Sequence, residues 1–218
     1  ELAQTLEARG KKDLLEKMRT AELSTGSLFL TRQPQPLGLG HAIWCARKLV
    51  GDEPFAILLP DDVVLADKGC LTQMVGQYNK VGGNFVAVMD VPRPDTSKYG
   101  ILDIKSENGP LVEVKGLVEK PAPEKAPSTL SIIGRYILQP EVFTHLSAFE
   151  KGAGGEIQIT DAMAKLIGRQ PFHGFRYEGM RYDCGSRLGF IEATLAYGLH
   201  DKDIGRDVAA ILKKFKVQ

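Results

Sequence analysis

Arg32-Gln-Pro-Gln-Pro-Leu-Gly-Leu-Gly-His-Ala42 is the stretch of sequence that decides the fold, together with Phe55-Ala-Ile-Leu-Leu-Pro-Asp-Asp62, which follows it. Glycines in the first stretch let the backbone approach a flat base or a phosphate closely. The second stretch is typical of a strand that delivers two carboxylates at its carboxyl end, where open α/β sheets bind ligands. Such glycines are also common in turns, and an Asp-Asp pair after a strand is often a solvated loop or a helix cap. Together, the two stretches indicate nucleotide chemistry with a divalent cation.

The composition is that of an ordinary globular chain. Its 218 residues are 43% hydrophobic and 25% charged, which is enough for a sizeable core, so we predict one α/β domain over residues 1–218. Lysine and arginine number 28 against 27 acidic residues, and the net charge of +1 gives no reason to expect a nucleic acid or an anionic membrane as partner. No segment has the length of a membrane span or the layout of a signal peptide. Any phosphate binding must therefore be local.

The cysteines and histidines do not follow a metal-binding or disulfide pattern. Cys45, Cys70 and Cys184 are scattered outside any Cys-x-x-Cys spacing, and the four histidines are equally dispersed. We therefore expect neither a zinc site nor a disulfide framework. An odd number of unpaired cysteines fits a reducing compartment, so the sequence predicts a cytoplasmic protein.

Hydrophobic periodicity predicts alternating helices and strands. Helices are predicted at residues 1–19 with a break at Gly10, and at 40–49, 71–80, 140–146, 161–168, 187–200 and, in the amphipathic tail, 203–215. Strands are predicted at residues 27–31, 55–59, 84–91 and 172–177, the second of them buried. Two successive β-α-β units imply right-handed crossovers and a mostly parallel sheet.

The middle of the chain has a different pattern. Between residues 99 and 138, strand-like runs at 101–104, 111–114 and 130–133 are separated by Asn108-Gly-Pro110 and Pro121-Ala-Pro123. We predict a small β insertion here that carries the second substrate.

A series of motifs covers nearly the whole chain. They are residues 33–42, Leu59-Pro-Asp-Asp62, Lys98-Tyr-Gly-Ile101, Val118-Glu-Lys-Pro121, Gly134-Arg-Tyr136, Gly155-Glu-Ile-Gln-Ile-Thr-Asp161 and Tyr182-Asp-Cys-Gly185. In this order they resemble the sugar-nucleotidyltransferase superfamily, and the forms Leu-Gly-Leu-Gly-His-Ala and Tyr-Asp-Cys-Gly favour its bacterial uridylyltransferase branch. The resemblance implies a Rossmann-like nucleotidyltransferase fold of the α/β class. In it, helices flank a mixed, mostly parallel central sheet, residues 99–138 form a sugar-binding β region, and residues 203–218 form a C-terminal helix.

The resemblance also implies a reaction. A uridylyl group passes from UTP to glucose 1-phosphate by in-line displacement assisted by Mg²⁺, giving UDP-glucose and pyrophosphate without a covalent intermediate. Such catalysis depends mostly on positioning and charge neutralisation. The implied partners are UTP, glucose 1-phosphate and further copies of the chain in a dimer or tetramer.

Matching motifs assign roles to individual residues. Asp61 and Asp183 would be catalytic carboxylates that hold magnesium, and Lys120 would be the catalytic cation beside the sugar phosphate. The remaining assignments are Gln33, Gly38, Asp61 and Asp62 for the nucleotide, with Gly100, Glu119, Lys120, Gly134 and Tyr136 for the sugar phosphate.

Plainer interpretations of several residues stay open. Asp183 could be a turn residue before Gly185 or a cap of the helix at Arg187, and Gln33 could be an ordinary loop residue before proline. His41 is expected to pack beneath the loop rather than act as a base. The sugar site could also be lined by Glu156, Gln158 and Asp161. Of these, Asp161 also suits a helix start.

The family opens with a strand and a Gly-x-Gly-Thr-Arg-x-x-Pro loop that wraps the triphosphate. The 218 residues begin at Glu1 and contain no such segment. We therefore expect a chain limited to these residues to show no transfer and to expose an apolar sheet edge. Two alternatives remain open: a thymidylyl- or other pyrimidine sugar-nucleotidyltransferase, and a non-catalytic sugar-nucleotide-binding or regulatory homologue.

Overall fold

The computed structural model describes residues 2–24 and 26–215, without the side chain of Ala21. The chain divides into two compact units, residues 1–32 and 33–218. In the first unit, helices α1 (Leu2–Ala8) and α2 (Lys12–Ala21) are separated at Gly10, whose φ of 65° breaks the helix as predicted. The predicted strand at residues 27–31 is wrong, because these residues have no ladder partner among the described residues.

The described residues of the second unit, 33–215, form eight strands in two sheets. The strands are β1 (Phe55–Leu58), β2 (Asp62–Leu65), β3 (Asn84–Asp90), β4 (Gly100–Asn108), β5 (Leu111–Glu119), β6 (Leu130–Leu138), β7 (Phe172–Arg176) and β8 (Met180–Asp183). Six of them form one sheet in the order β1-β6-β3-β7-β5-β4, and β2 pairs with β8 in a separate two-stranded ribbon. The ribbon is the element that sequence periodicity did not predict.

Helices pack on both faces of the large sheet, against the ribbon and against each other. They are α3 (Leu39–Cys45), α4 (Arg47–Val50), α5 (Cys70–Val81), α6 (Val142–Leu146), α7 (Ile159–Ala164), α8 (Arg187–His200) and α9 (Gly205–Leu212). On the central strand β3, Val86 and Val88 face a core that also holds side chains of α3, α6 and α7, whereas Phe85 and Ala87 face a second core with α5. A strand buried on both faces reads as a continuous apolar run, which is why β3 was predicted well.

The helices and the mixed sheet confirm the predicted α/β class, but the sheet is mostly antiparallel. Among the described strands only β3 and β7 pair in parallel. Strand β6 lies between β1 and β3 and runs antiparallel to both, so the expected β-α-β neighbours are not adjacent. The pattern of residues within a strand does not record its partner's direction, and this part of the prediction was wrong for that reason.

The predicted insertion is also part of the main sheet. Strands β4, β5 and β6 are nine residues long and complete the large sheet rather than forming a separate layer. Strand β1 was expected to be buried, but it lies at the sheet edge and alternates in burial, with Leu58 51% exposed. In the tail, α9 is shorter than predicted, and residues 216–218 of the predicted helix lie outside the described residues. In the described ranges, 2–24 and 26–215, no helix has the length and apolar character to span a membrane.

Candidate active site

A cavity of about 370 Å³, the central cavity, is lined by the end of β1, the ribbon β2–β8, strands β4 to β6 and the segment before α7. Most of the residues that the sequence analysis assigned to the site lie here, although they come from distant segments. The predicted residues that line it are Asp61, Asp62, Gly100, Glu119, Lys120, Gly134, Tyr136 and Asp183. Glu156 and Gln158 also line it, but Asp161 does not.

Two carboxylates meet beside Gly185. Asp61 immediately precedes β2, and Asp183 is the last residue of β8. A Cβ atom built on Gly185 would lie 3.1 Å from Asp183 Oδ1 and 3.2 Å from Asp61 Oδ2. The Cys184 amide donates to the Asp61 carbonyl at 2.7 Å, which ties the two segments together. The ribbon therefore brings two carboxylate oxygens to one point, with glycine leaving the space between them open.

The first turn of α8 fixes the position of Asp183. Its carboxylate accepts from the Gly185 amide at 3.0 Å, while Ser186, not Asp183, caps α8 by accepting from the Gly189 amide. A Cβ atom on Gly189 would fall 2.0 Å from the Asp183 carbonyl oxygen, so only glycine allows this approach. Asp183 is thus a turn residue, as one of the plainer interpretations had it, and it is not the cap of α8. The turn leaves Asp183 Oδ2 facing the cavity residue Arg181, whose Nη2 is 3.8 Å away.

Asp62 differs from its neighbour Asp61, because it is buried and fully engaged. One carboxylate oxygen accepts from the Gly134 amide at 2.5 Å and the other from Arg181 Nε. Arg181 also donates to the Tyr99 hydroxyl at 3.2 Å. Burial alone would lower the pKa of Arg181, but the hydrogen bond and charge of Asp62 raise it. Asp62 therefore holds the ribbon against β6 rather than presenting a free oxygen to the cavity.

Lys120 has an unusual backbone conformation. Its φ is 46°, in the left-handed region that non-glycine residues rarely adopt, and its amide donates to the Tyr99 carbonyl at 3.0 Å. Its Nζ is 3.8 Å from Glu119 Oε1, and the Glu119 side chain is only 11% exposed. Residues held in strained conformations cluster at functional sites, and this one directs a cation toward the cavity.

Two glycines leave room for the cavity. A Cβ atom on Gly100 would contact Thr160 Oγ1 at 3.1 Å and Glu119 Oε2 at 3.2 Å, so two polar groups face the space that it leaves open. On Gly134, a Cβ atom would lie 2.8 Å from the Cβ of Asp62, and glycine is required for the Asp62 contact. The neighbouring Tyr136 is buried, and burial together with the charge of Asp62 raises the pKa of its hydroxyl.

The glycine loop, residues 33–40, lies at the edge of the central cavity. Gln33 and Gly38 are not among the lining residues, but a Cβ atom on Gly38 would be 2.8 Å from the Cβ of Glu156, which does line it. The backbone of the loop is clamped to Ile157 by two hydrogen bonds, from Ile157 N to Leu37 O at 2.7 Å and from Gly40 N to Ile157 O at 2.8 Å. Gly38 itself has a φ of 105°, which requires glycine.

Four polar lining residues were not assigned to the site from the sequence: Lys98, Tyr99, Thr160 and Arg181. Three lie within motifs that were quoted for the resemblance, and Arg181 directly precedes one of them. Their positions beside assigned residues could have suggested them. Nothing in the local sequence indicates that Arg181 pairs with Asp62, which is 119 positions away.

Acidic side chains outnumber basic ones around the cavity. The acidic lining residues are Asp61, Asp62, Glu119, Glu156 and Asp183, and the basic ones are Lys98, Lys120 and Arg181. Arg181 is already paired with Asp62, and Lys98 forms an ion pair with Asp95 at 2.7 Å. A cavity with this balance favours cations and hydroxyl groups, and it binds polyphosphate only if further positive charge is supplied.

The two carboxylates fit a hard divalent cation. They are oxygen ligands that approach one point, and the Asp61 carboxylate has no ion-pair or hydrogen-bond partner among the described residues. Magnesium is commonly held by one or two carboxylates together with substrate phosphates. In the part of the chain that the structure describes, no group of three or more His, Cys, Asp or Glu side chains could hold a metal by itself.

Comparison with known proteins shows the family of the chain. Residues 9–198 match the family model described as nucleotidyl transferase, which is most of the chain. The chain belongs to the nucleotidyl transferase family.

Two curated relatives and one solved structure illustrate the similarity. The chain is 56% identical over 188 residues to a UTP--glucose-1-phosphate uridylyltransferase of Komagataeibacter xylinus, covering 86% of this chain and 66% of the relative. It is 46% identical over 204 residues to the protein of the same name from Bacillus subtilis, covering 94% of this chain and 70% of the relative. The UTP-bound UGPase from Acinetobacter baumannii superposes with a TM-score of 0.87 at 37% identity, covering 99% of this chain and 75% of that chain. The chain thus spans about two thirds to three quarters of the length of these proteins.

Proposed function

We propose that this protein transfers a uridylyl group from UTP to glucose 1-phosphate, giving UDP-glucose and pyrophosphate. The observation that carries the proposal is the convergence of Asp61 and Asp183 in a cavity that Lys120 also lines. The names of the relatives at 46% and 56% identity supply the substrates. In the reaction, a phosphate oxygen of the sugar phosphate attacks the α-phosphorus, the bond to pyrophosphate breaks, and no covalent enzyme intermediate forms.

Asp61 and Asp183 are the residues that would hold Mg²⁺. When bound, the cation supplies positive charge that neutralises phosphate oxygens as the displacement proceeds. Asp62 has no such role, because both of its oxygens accept hydrogen bonds from Gly134 and Arg181. Its proposed contribution to nucleotide binding is indirect, through the position of the ribbon.

Lys120 and Glu119 would bind the sugar phosphate at opposite ends. The Lys120 ammonium suits a phosphate as a point charge, and the strained backbone at φ 46° fixes where its side chain starts. Glu119, mostly buried beside Gly100, is an acceptor for sugar hydroxyls, and Thr160 offers a second polar group at the same glycine. Gly134 and Tyr136 complete this side of the pocket.

Gln33 and Gly38 would recognise the uracil edge from the glycine loop. An amide side chain and a backbone amide can together pair with the imide face of a pyrimidine. The clamp between the loop and Ile157 supports this role, because it fixes the loop beside the cavity wall.

The cellular setting is part of the same proposal. The three cysteines are free thiols in the structure, which suits the reducing cytoplasm. Several large apolar side chains of α8 and the tail are exposed, among them Leu188 at 77% and Phe190 at 60%. Such a surface supports the proposed homo-oligomer.

The direct test is pyrophosphate release with a panel of nucleoside triphosphates, each with and without glucose 1-phosphate and Mg²⁺. We expect release with UTP that requires both the sugar phosphate and the cation. Release that prefers TTP would replace the uridylyl assignment by the thymidylyl one. Binding of UDP-glucose without any release would instead favour the non-catalytic homologue.

A further inference from the structure

The side-chain amide of Gln33 is held in one orientation. Its Nε2 lies 3.0 Å from the carbonyl oxygen of Gly38 and 3.1 Å from Nδ1 of His41. A carbonyl oxygen can only accept, so the end of the carboxamide that faces Gly38 must be the NH₂ group. Its two hydrogens therefore go to Gly38 and His41, and Oε1 is left to accept a hydrogen bond from something else.

This arrangement also fixes the proton on the His41 ring. Because Nδ1 accepts from Gln33, the neutral ring carries its hydrogen on Nε2, which faces Cys45 Sγ at 3.9 Å. The ring itself cannot easily turn. It is 5% exposed and stacks on Trp44 at 6.0 Å between ring centroids, and Phe149 packs against it at 5.9 Å.

We propose that His41 is a specificity-positioning residue that locks the Gln33 carboxamide with Oε1 toward the base, so that the site prefers uracil over cytosine. This inference rests on the proposed function, in which Gln33 recognises the base. His41 touches neither the base nor the reacting atoms, and it acts only through Gln33.

The chemistry of the two pyrimidines gives the reason. Uracil carries a hydrogen on N3 and a carbonyl at C4, whereas cytosine has an unprotonated N3 and an amino group at C4. A fixed acceptor at Gln33 Oε1 pairs with the N3 hydrogen of uracil but meets a lone pair on cytosine. The amide of Gly38, which has no hydrogen-bond partner among the described residues, would donate to the uracil carbonyl and oppose the cytosine amino group.

Cytosine could be accommodated if the Gln33 carboxamide turned over. That rotation would place Oε1 against the Gly38 carbonyl, which can only accept, and it would force the His41 ring to move its hydrogen from Nε2 to Nδ1, away from Cys45 Sγ, so two costs oppose it. Removing His41 removes one of them and one of the two hydrogen bonds that favour the present orientation.

The test measures kcat/KM for UTP and for CTP in matched variants. In His41→Leu, we expect the ratio of kcat/KM for UTP to that for CTP to fall about tenfold, which corresponds to one lost hydrogen bond. His41→Asn should restore most of the ratio, because the Asn side chain can present an acceptor oxygen close to where Nδ1 lies. Cys45→Ala, which alters the other edge of the ring, should leave the ratio unchanged.

Gln33→Ala separates this inference from the proposed function. If Gln33→Ala collapses the ratio of kcat/KM for UTP to that for CTP and His41→Leu does not, the positioning role of His41 is refuted while base recognition by Gln33 stands. If Gln33→Ala leaves the ratio unchanged, base recognition by Gln33 is refuted and the positioning role of His41 falls with it.

A measurement on the unsubstituted protein keeps the inference open to refutation even if a variant misfolds. The ¹⁵N spectrum of the His41 imidazole distinguishes its tautomers. We expect hydrogen on Nε2 and none on Nδ1. Hydrogen on Nδ1 would mean that His41 cannot accept from Gln33, and it would overturn the proposal.

Discussion

Substitution by asparagine should destabilise the fold strongly at Asp62 and hardly at all at the adjacent Asp61. Both oxygens of Asp62 accept from N–H donors, the Gly134 amide and Arg181 Nε. In Asp62→Asn the new NH₂ group must face one of these donors whichever way the amide turns. The Arg181 side chain is only 11% exposed, so it would also lose the charge that compensates its burial.

The cost can be worked out from these contacts. Removing one partner of a buried ion pair costs about 3–5 kcal/mol, and we take the lower end, about 3 kcal/mol, because Arg181 keeps its bond to Tyr99. For a domain of this size that corresponds to a fall in Tm of about 6–12 °C. Asp61→Asn is the matched control, and its exposed carboxylate predicts a change within about 0.5 kcal/mol.

Urea unfolding followed by circular dichroism measures both variants, with Tm as a second readout. We expect a large loss in the free energy of unfolding for Asp62→Asn and almost none for Asp61→Asn. Equal stability of the two variants would refute the assignment of Asp62 to the structure of the ribbon.

Three further predictions concern activity and pH. Asp61→Asn should lower Mg²⁺-dependent turnover by about two orders of magnitude or more, because a neutral amide binds a hard cation poorly; near-normal turnover would remove Asp61 from the cation site. Lys120→Ala should raise KM for glucose 1-phosphate far more than KM for UTP, and the difference should be smaller at high salt. Lys120→Asn is the control, because asparagine tolerates the left-handed backbone at this position. Equal effects on both substrates would contradict the assignment. Burial lowers the pKa of the His173 imidazole below its usual 6.5. The neutral form therefore stabilises the fold above pH 6.5, and this contribution is lost as the pH falls through the lowered pKa. The free energy of unfolding should therefore drop between pH 7 and pH 5, and His173→Gln should drop less; identical pH profiles would show that His173 does not contribute.

Much of the site could be predicted from the sequence, because its motifs resemble those of a known family. Asp61, Lys120 and Asp183 were proposed from short motifs, and the structure brings all three to one cavity. The motifs assigned Asp61, but not Asp62, to the metal, yet they did not show that Asp62 is buried and bonded to Gly134 and Arg181. The bond to Arg181 joins residues 119 positions apart, and local sequence holds no record of such a contact.

The fold was predictable to a similar degree. Strand β3 and helix α5 have strong local patterns and lie close to their predicted bounds. The pairing of strands was not predictable, because β6 inserts between β1 and β3 on the basis of contacts distant in sequence. The ribbon was missed for the same reason: β2 and β8 are four residues each, and each is a strand only because the other is present.

The ribbon has a consequence for the order in which the protein becomes competent. Its register sets Asp62 opposite Asp183, so Asp61 has no carboxylate beside it until the chain has been synthesised through Asp183. The close approach of Gly189 to the Asp183 carbonyl extends that requirement into α8. A nascent chain on the ribosome can form most of the large sheet before this point and still lack this pair of carboxylates. The two-carboxylate arrangement therefore cannot form before Asp183 has been synthesised.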